Sequence, residues 1–492
     1  MTEHFDMVIV GAGISGVGMA YHLRKRCPER SYVILEGRER TGGTWDLFRY
    51  PGIRSDSDMH TLGFSFQPWG AAKAIADGPS IRSYVEDTAR EHRIVDHIRF
   101  RTRVLRASWS TSEARWTVEA SGPDGEAVSY TCNFLSMCSG YYNYAKGYTP
   151  DFPGVGEFEG QVIHPQFWPE GLDYAGKRVV VIGSGATAVT LVPELAKKAA
   201  HVVMLQRSPT YVVSRPAEDA VANWLRRRLP NKLAYGLTRW KNVLWGMFFF
   251  NLARKRPAKI KDRLLGMVRE HLGPDYDVAT HFTPRYNPWD QRLCLVPDAD
   301  LFAAIKDGRA SVATDTIERF TPGGIRLDSG KELEADIVVT ATGLELQLLS
   351  GVEFRIDGEV RNLANTLNYK GMMFSDVPNL AYFFGYTNAS WTLKADLTAT
   401  YVCRLLNTMR KRGVLQATPR NDDPSVTEHP FLDFTSGYVQ RALEHLPKQG
   451  SRKPWRVNQN YALDIMALKF GSVDEAMEFS NPATRVNERE AA

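Results

Sequence analysis

The sequence predicts an α/β fold that holds two dinucleotide-binding domains and a helical insert, and three observations support this prediction. Two glycine-rich loops each follow a short apolar strand and precede a helix with apolar periodicity. A basic, aromatic-rich stretch with helical character interrupts the alternation of strands and helices after the second loop. The length of 492 residues exceeds what one hydrophobic core usually holds, which indicates more than one domain.

The composition is that of a globular protein with no sign of a nucleic-acid partner. Hydrophobic residues make up 43% and charged residues 24%, and the net charge of +5 is small for this length. The five cysteines are scattered and include no C-x-x-C pair, which argues against a disulfide framework, a dithiol redox centre or a metal site. The N-terminus lacks a signal-peptide layout and no apolar run is long enough to span a membrane, so we expect a cytoplasmic protein.

The first glycine-rich loop lies in FDMVIVGAGISGVGMAYHLRKR, where a strand over 5–10 leads into a G-x-G-x-x-G pattern. Glycines in this pattern permit a tight turn and a close approach of the backbone to a pyrophosphate. The next strand, SYVILE, ends at Glu36, where an acidic residue accepts a hydrogen bond from a ribose hydroxyl. We predict that this domain binds FAD through Gly11, Gly13, Ser15, Gly16 and Glu36.

The second loop lies in KRVVVIGSGATAVTLVPELAKK and has the G-x-G-x-x-A variant of the pattern. The following strand, HVVMLQR, ends at Arg207, and a guanidinium at this position suits the 2′-phosphate of NADPH. The alternative is a solvated surface arginine. The candidate NADPH-binding residues are Gly183, Ser184, Gly185, Ala186, Thr187, Arg207 and Ser208.

These two loops predict Rossmann-like domains in the arrangement of the glutathione-reductase type. The segment ADIVVTATG (335–343) is similar to the return crossing between the nucleotide domains of flavoproteins that bind two dinucleotides. We therefore expect a discontinuous FAD domain (1–145 and 344–492), a nested NADPH domain (146–216 and 286–343) and a helical insert (217–285).

Two longer motifs carry a resemblance to a known family. GGTWDLFRYPGIRSDSD (42–58) contains Gly42, Gly43, Trp45, Tyr50, Pro51, Gly52 and Asp56, and FEGQVIHPQFWP (158–169) contains Phe158, Gly160, His164, Trp168 and Pro169. In this spacing and order they resemble the two signatures of the type I Baeyer–Villiger monooxygenases. Segments such as YNPWDQRLCLVP and GYTNASWTLKADL are most similar to the branch of mycobacterial ethionamide-activating monooxygenases.

The resemblance implies an enzyme that uses FAD, NADPH and O2 to insert oxygen beside a ketone carbonyl, giving an ester or lactone through a flavin C4a-peroxide. Sulfoxidation of a sulfide substrate is implied as a side activity. Arg292 would be the catalytic arginine and Asp56 the carboxylate that orients it, while Gly43, Thr44 and Trp45 would contact a cofactor. Gln291 stands where many members carry lysine, so NADPH preference would rest more heavily on Arg207.

The 158–169 stretch shows neither strand nor helix periodicity, and the resemblance implies that it is the interdomain linker. His164 and Trp168 would then control how the NADPH domain moves over the flavin. The alternative role of His164 is a hydrogen-bonded loop anchor. Asn388 and Trp391 are candidate pocket residues before a helix expected from Leu393 onward, with a core position as the alternative for Trp391.

The insert is strongly basic, with twelve Lys or Arg and one acid between 226 and 263 and several interleaved aromatic residues. Such a stretch suits peripheral contact with the inner face of an anionic membrane or access for apolar substrates. The alternative is a solvated insert that packs on the NADPH domain.

Three other functions stay open at this point. An N- or S-oxygenating flavin monooxygenase is disfavoured by Trp168-Pro169 and by the Asp56 and Arg292 positions. A dithiol reductase of the same fold is disfavoured by the missing C-x-x-C pair, and a non-enzymatic flavoprotein by the full set of chemical residues.

Overall fold

A computed structural model describes residues 2–291, 293–432 and 436–482, and the first of its two large sheets has nine strands. A parallel part surrounds the N-terminal strand, and an antiparallel meander extends it on one side. In sheet order the strands are Glu359–Val360, Glu353–Ile356, Arg103–Ser110, Arg115–Ser121, Ala127–Met137, Glu3–Val10, Tyr32–Leu35 and Ile98–Arg99, with Leu380–Tyr382 also paired to Ala127–Met137.

The second large sheet has five strands and is parallel throughout. Its strands, in order, are Ala310–Thr314, His201–Gln206, Arg178–Ile182, Ile337–Thr340 and Gln161–Ile163. Parallel strands with helical crossovers on both faces are typical of dinucleotide-binding folds. The predicted α/β fold with two Rossmann-like domains and a helical insert is confirmed, whereas the domain boundaries stay a prediction.

In each large sheet, the parallel strand that precedes the glycine-rich loop is buried on both faces where it approaches the loop. In the N-terminal strand, Met7 and Ile9 belong to one core and Val8 and Val10 to another on the opposite face. The strand Arg178–Ile182 divides its side chains between two further cores in the same alternating way. This explains why both strands are continuous apolar runs in the sequence.

Two short antiparallel strands, Tyr142–Gly147 and Leu344–Leu346, connect the regions of the two sheets. The strand Leu344–Leu346 follows the strand Ile337–Thr340. Only the last residues of the ADIVVTATG segment therefore lead into the connection between the two large sheets. The expectation that 158–169 contains no regular structure is wrong. Residues Gln161–Ile163 form the edge strand of the second sheet and Pro165–Phe167 form a 3-10 turn, because the strand gains its partner only from a segment far along the chain.

The 217–285 range folds into helices of very different length. They are Ala220–Arg226, Asn231–Lys255, Pro257–Leu272 and Val278–Phe282. Among the described residues, no helix has the length and apolar content needed to cross a membrane.

The other helices pack around the two large sheets or lie in the connections between strands. Their bounds are Ile14–Arg26, Thr44–Leu47, Met59–Leu62, Gly78–Glu91, Ala186–Leu195, Asp300–Lys306, Trp391–Arg412, Gly437–Ala442 and Tyr461–Asp464. The helix Trp391–Arg412 begins two residues before the expected Leu393.

Small sheets complete the fold. One has three antiparallel strands, Ile317–Thr321, Gly324–Leu327 and Glu332–Glu334, and the two-stranded pairs are Val212–Arg215 with Cys294–Pro297, Asn368–Tyr369 with Met373–Phe374, Gln416–Pro419 with Met477–Ser480 and Glu428–Pro430 with Lys448–Gly450.

Candidate active site

A cavity of about 1220 Å³ lies where the two glycine-rich loops face each other. Ligand pockets usually have volumes of about 300–1,000 Å³, so this cavity can hold more than one small molecule. Most of the predicted cofactor-binding residues line it, namely Gly11, Gly13, Ser15, Glu36, Gly43, Thr44, Trp45, Asp56, Gly183, Ser184, Gly185, Ala186, Thr187, Arg207 and Ser208.

The first loop has the geometry that a pyrophosphate needs. Gly11 has a φ of +101°, and a Cβ there would lie 2.7 Å from the carbonyl oxygen of Cys138. Gly16 does not line the cavity but supports the loop, since a Cβ there would lie 1.9 Å from the carbonyl oxygen of Gly11. The helix Ile14–Arg26 has no side-chain cap and no acid in its first turn, which leaves its N–H groups available to an anion.

Glu36 holds a carboxylate directly beside this loop. Its Oε2 accepts a hydrogen bond of 2.6 Å from the Ala12 N–H, and its Oε1 accepts one of 2.9 Å from the Arg38 N–H. Burial raises the pKa of Glu36, and the two backbone donors oppose that rise. An oriented carboxylate at the cavity edge, next to uncapped helix N–H groups, fits the ribose and pyrophosphate of a dinucleotide such as FAD.

The aromatic loop over 42–57 forms a second wall. Gly43 has a φ of +57°, and a Cβ there would lie 3.1 Å from Gly13 Cα, so the two glycine segments pack backbone to backbone. Asp56 lines the cavity near Tyr50; burial raises the pKa of the Tyr50 hydroxyl, and the charge of Asp56 adds to the rise. Gly52 packs on the helix Ala186–Leu195, with a built Cβ 3.0 Å from the Glu194 side chain, so this loop also touches the second domain.

The second loop repeats the phosphate geometry. Gly183 has a φ of +139°, and a Cβ there would lie 2.3 Å from the carbonyl oxygen of Ala341. Gly185 caps the helix Ala186–Leu195, which again has no side-chain cap and no acid in its first turn. Ser184 donates a hydrogen bond of 3.0 Å to the Ser208 carbonyl, and exposed Arg207 follows the strand end and lines the cavity. These residues fit a phosphorylated dinucleotide.

Arg292 lies outside the described residues. Its neighbours Gln291 and Leu293 both line the cavity. The pairing of Arg292 with Asp56 therefore stays a prediction.

His164 and Trp168 do not line the cavity, and the contacts of His164 lie beside the two short strands that connect the large sheets. The His164 Nε2–H donates to the Gly343 carbonyl across 3.1 Å, and its Nδ1 accepts from the Gln166 N–H across 3.2 Å. Its ring covers Gly147, where a Cβ would lie 2.1 Å from the imidazole. Trp168 packs on the core of the second sheet. The contacts of His164 thus reach both crossing segments, which suits either an anchor or a hinge.

The two candidate pocket residues occupy different places. Asn388 does not line the cavity, and its Nδ2 donates to the Gln459 carbonyl across 3.0 Å. Trp391 does line it and stacks on Tyr141 with ring centroids 5.1 Å apart. The Trp391 Nε1–H donates to the Ser15 hydroxyl across 2.8 Å.

Sequence reasoning missed several aromatic residues of the cavity wall. Burial raises the pKa of Tyr144 to about 12, and its hydroxyl is 3.6 Å from a Cβ built at Gly43. Arg441 stacks on the Tyr148 ring at 3.4 Å, and both residues line the cavity. The repeated tyrosines of YYNYAKGY gave a weak signal, since nothing local indicates which of them face a ligand.

The fold and the cavity define a class of proteins that bind two dinucleotides at facing glycine-rich loops. Residues 75–240 match the family described as "Flavin-binding monooxygenase-like", and residues 9–77 match the "NAD(P)-binding Rossmann-like domain". The chain is 57% identical over 476 residues to the FAD-containing monooxygenase EthA of Mycobacterium tuberculosis, covering 96% of this chain and 97% of that protein. The protein therefore belongs to the family of FAD-containing monooxygenases that includes EthA, which confirms the expected flavin-dependent monooxygenase class.

Solved structures agree on the fold. A steroid monooxygenase bound to NADP superimposes with a TM-score of 0.74 at 22% identity, covering 97% of this chain and 100% of the other. An open structure of cyclohexanone monooxygenase also gives 0.74, at 20% identity with 98% and 100% coverage.

Proposed function

We propose that the protein is an FAD- and NADPH-dependent Baeyer–Villiger monooxygenase that converts a ketone into an ester or lactone. The observation that carries the proposal is one cavity that joins both glycine-rich loops to the aromatic loop of Asp56. When bound, reduced FAD with O2 supplies the inserted oxygen atom, NADPH supplies two electrons, and the second oxygen atom leaves as water. Sulfoxidation of sulfides is proposed as a side activity.

The chain's own residues would hold the two cofactors in distinct ways. Gly11, Gly13 and Ser15 would bind the pyrophosphate of FAD at an uncapped helix start, and Glu36 would accept from its ribose. Ser184, Gly185 and Thr187 would bind the NADPH pyrophosphate, with Arg207 on the 2′-phosphate and Ser208 beside it.

Arg292 would supply fixed positive charge where negative charge develops on the reacting oxygen atoms. A guanidinium stays protonated at every working pH and offers several directed donors. Gln291 and Leu293, the neighbours of Arg292 in the sequence, line the cavity, and this supports the proposed role. Asp56, on the same cavity, would hold the guanidinium in orientation.

The test is product analysis under ¹⁸O2 with NADPH and aliphatic, cyclic and aryl ketones. Wild type is expected to give ester or lactone with one labelled oxygen atom. Arg292→Ala should keep its bound FAD, as measured by absorbance, and should form the ester at least a hundredfold more slowly than wild type. The exposed Arg263→Ala variant in the insert should match wild type in both measurements. Ester formation by Arg292→Ala at the wild-type rate would overturn the assignment. In parallel assays with a sulfide and a tertiary amine, sulfoxide or N-oxide formation without ester from any ketone would instead identify an N- or S-oxygenating enzyme.

The basic insert supports a second proposal, a peripheral contact with an anionic membrane, which depends on surface chemistry rather than on the cavity.

A further inference from the structure

The long insert helix, Asn231–Lys255, carries an apolar stripe on its outer face. The stripe consists of Leu233, Leu237, Trp240, Leu244 and Phe248, each between 47% and 59% exposed. Their spacing of four, three, four and four residues keeps them on one face of an α-helix over about 22 Å. Trp245, 57% exposed, lies beside the stripe with its ring 5.8 Å from that of Phe248.

A second exposed apolar group extends this surface. The ring of Trp240 lies 6.0 Å from that of Tyr461. Leu463, Met466 and Phe470 follow Tyr461 within ten residues, and they are 48%, 63% and 64% exposed. Contiguous apolar patches of this kind mark surfaces that bind a partner or a membrane.

The opposite face of the insert helix is fixed, so the stripe cannot turn inward. Buried Arg239 donates from Nη1 to the carbonyls of His60, Thr61 and Gly63 at 2.8–3.3 Å. Asn242 donates to Asp58 across 2.9 Å. These contacts hold the helix on the FAD-binding side of the molecule.

Exposed cations stand at both ends of the stripe. The cations at the start of the stripe are Arg227, Arg228 and Lys232, and those beyond its end are Lys255, Arg256 and Lys259. Lys241 and Arg254 pair with the carboxylates of Asp219 and Asp290, whereas these six residues have no ion pair within the described chain. The surface therefore combines an apolar strip with unneutralised positive charge at either end.

This charge pattern favours an anionic phospholipid surface over a second copy of the chain as the binding partner of the stripe. In a symmetric dimer built on the stripe, the ends of the two helices would bring basic groups against basic groups. An anionic phospholipid surface neutralises both ends while its acyl boundary receives the apolar side chains.

The same helix separates the surface from the cavity. Val243 and Met247, on its inner side, pack with Tyr386 and Ala389. Tyr386 and Ala389 also line the cavity. A molecule dissolved in a bilayer at the stripe is thus one helix away from the proposed reaction site.

We propose that the stripe and its flanking cations dock the enzyme on an anionic phospholipid bilayer, from which it takes apolar substrates. The uptake of apolar substrates rests on the proposed ketone oxidation, whereas the docking on the bilayer does not.

Docking is tested by flotation of the full-length FAD-loaded enzyme with vesicles of phosphatidylcholine alone or mixed with phosphatidylglycerol. We expect binding to the mixed vesicles only, with at least a tenfold loss between low and high salt. Leu244→Glu/Phe248→Glu should weaken the affinity for the mixed vesicles at least tenfold. Arg256→Glu/Lys259→Glu should weaken the same affinity about fivefold for each cation removed. The matched control Leu105→Glu/Val360→Glu, at exposed sites on the first sheet, should bind like wild type.

Unchanged binding of Leu244→Glu/Phe248→Glu, or no binding by wild type, overturns the docking proposal. A wild-type dimer that this double variant dissociates, without vesicle binding, also overturns it and assigns the face to a second copy of the chain. Flavin absorbance and melting temperature report whether each variant folds. Because flotation uses no substrate, failure of ketone oxidation leaves its result intact.

Substrate uptake is tested by the turnover ratio of a long-chain ketone carried in mixed vesicles to a short water-soluble ketone. The ratio should fall at least tenfold in Leu244→Glu/Phe248→Glu and stay constant in Leu105→Glu/Val360→Glu. An unchanged ratio in the first variant, with vesicle binding lost, would overturn uptake from the bilayer.

Discussion

The indole of Trp391 donates a hydrogen bond to the Ser15 hydroxyl, joining the first turns of two helices 376 residues apart in the chain. Ser15 belongs to the uncapped helix start that would bind a pyrophosphate, and both side chains line the cavity. The helix Trp391–Arg412 thereby holds the orientation of a hydroxyl in the first glycine-rich loop.

Trp391→Phe is expected to keep the fold and to raise the Kd for FAD about two- to tenfold, because one net hydrogen bond contributes about 0.5–1.5 kcal/mol. Titration of the apoprotein with FAD, followed by fluorescence, measures the change. Ser15→Ala removes the same bond from the other side. If the bond acts as argued, the double variant binds FAD more weakly than wild type by less than the sum of the two single effects. Additive effects would contradict the argument.

Gly16→Ala is expected to prevent FAD retention or to lower the melting temperature sharply. The added methyl would meet the Gly11 carbonyl at 1.9 Å, and this backbone cannot move without opening the loop. Flavin content after purification and thermal unfolding measure the effect.

Gly236→Ala serves as the control, because a Cβ at that position meets nothing within 4 Å. It lies inside the insert helix, where alanine is favoured by about 1 kcal/mol over glycine. A Gly16→Ala enzyme with full FAD content would show that the close approach in the first loop is not required.

Local motifs predicted the two glycine-rich loops because each depends on a strand, a turn and a helix that are consecutive in the chain. Gly11 and Gly183 have the positive φ that their motif positions require. In contrast, the Trp391 contact with Ser15 and the pairing of Gln161–Ile163 with Ile337–Thr340 join distant segments, so no local pattern could indicate them.

The insert shows the same difference between what local sequence indicates and what depends on contacts between distant segments. Its basic composition was evident, but the sequence alone did not separate the inner positions, such as Arg239, from exposed ones. That separation depends on the part of the chain against which the insert helix packs, which includes the short helix Met59–Leu62.

Arg207→Ala is expected to raise KM for NADPH about tenfold or more while leaving KM for NADH nearly unchanged, because only NADPH carries the 2′-phosphate. Steady-state kinetics with both nucleotides measure the selectivity. Arg309→Ala, which removes an exposed arginine near the opposite end of the strand His201–Gln206, paired with Asp307, should change neither value. Equal loss with both nucleotides would contradict a 2′-phosphate contact.

His164→Gln tests whether the junction residue is an anchor or a hinge. Glutamine can still donate to the Gly343 carbonyl, but it lacks the ring that fills the space over Gly147. A hinge role predicts a slower flavin reduction by NADPH in stopped-flow measurements, at least threefold. An anchor role predicts an unchanged rate with a lower melting temperature.

The same variant has a defined pH dependence. Burial lowers the pKa of His164 below its usual 6.5, and the Gly343 carbonyl partly opposes this. As the pH falls, His164 therefore binds a proton in the unfolded chain before it does so in the folded protein. Its contribution to the free energy of unfolding is present above about pH 6.5 and is lost as the pH falls through the lowered pKa of the folded protein. Wild type should lose more of its melting temperature between pH 7.5 and 5.5 than His164→Gln, whereas exposed His429→Gln should follow wild type. Parallel losses in wild type and His164→Gln would mean that the imidazole is not held neutral by its burial at the domain junction.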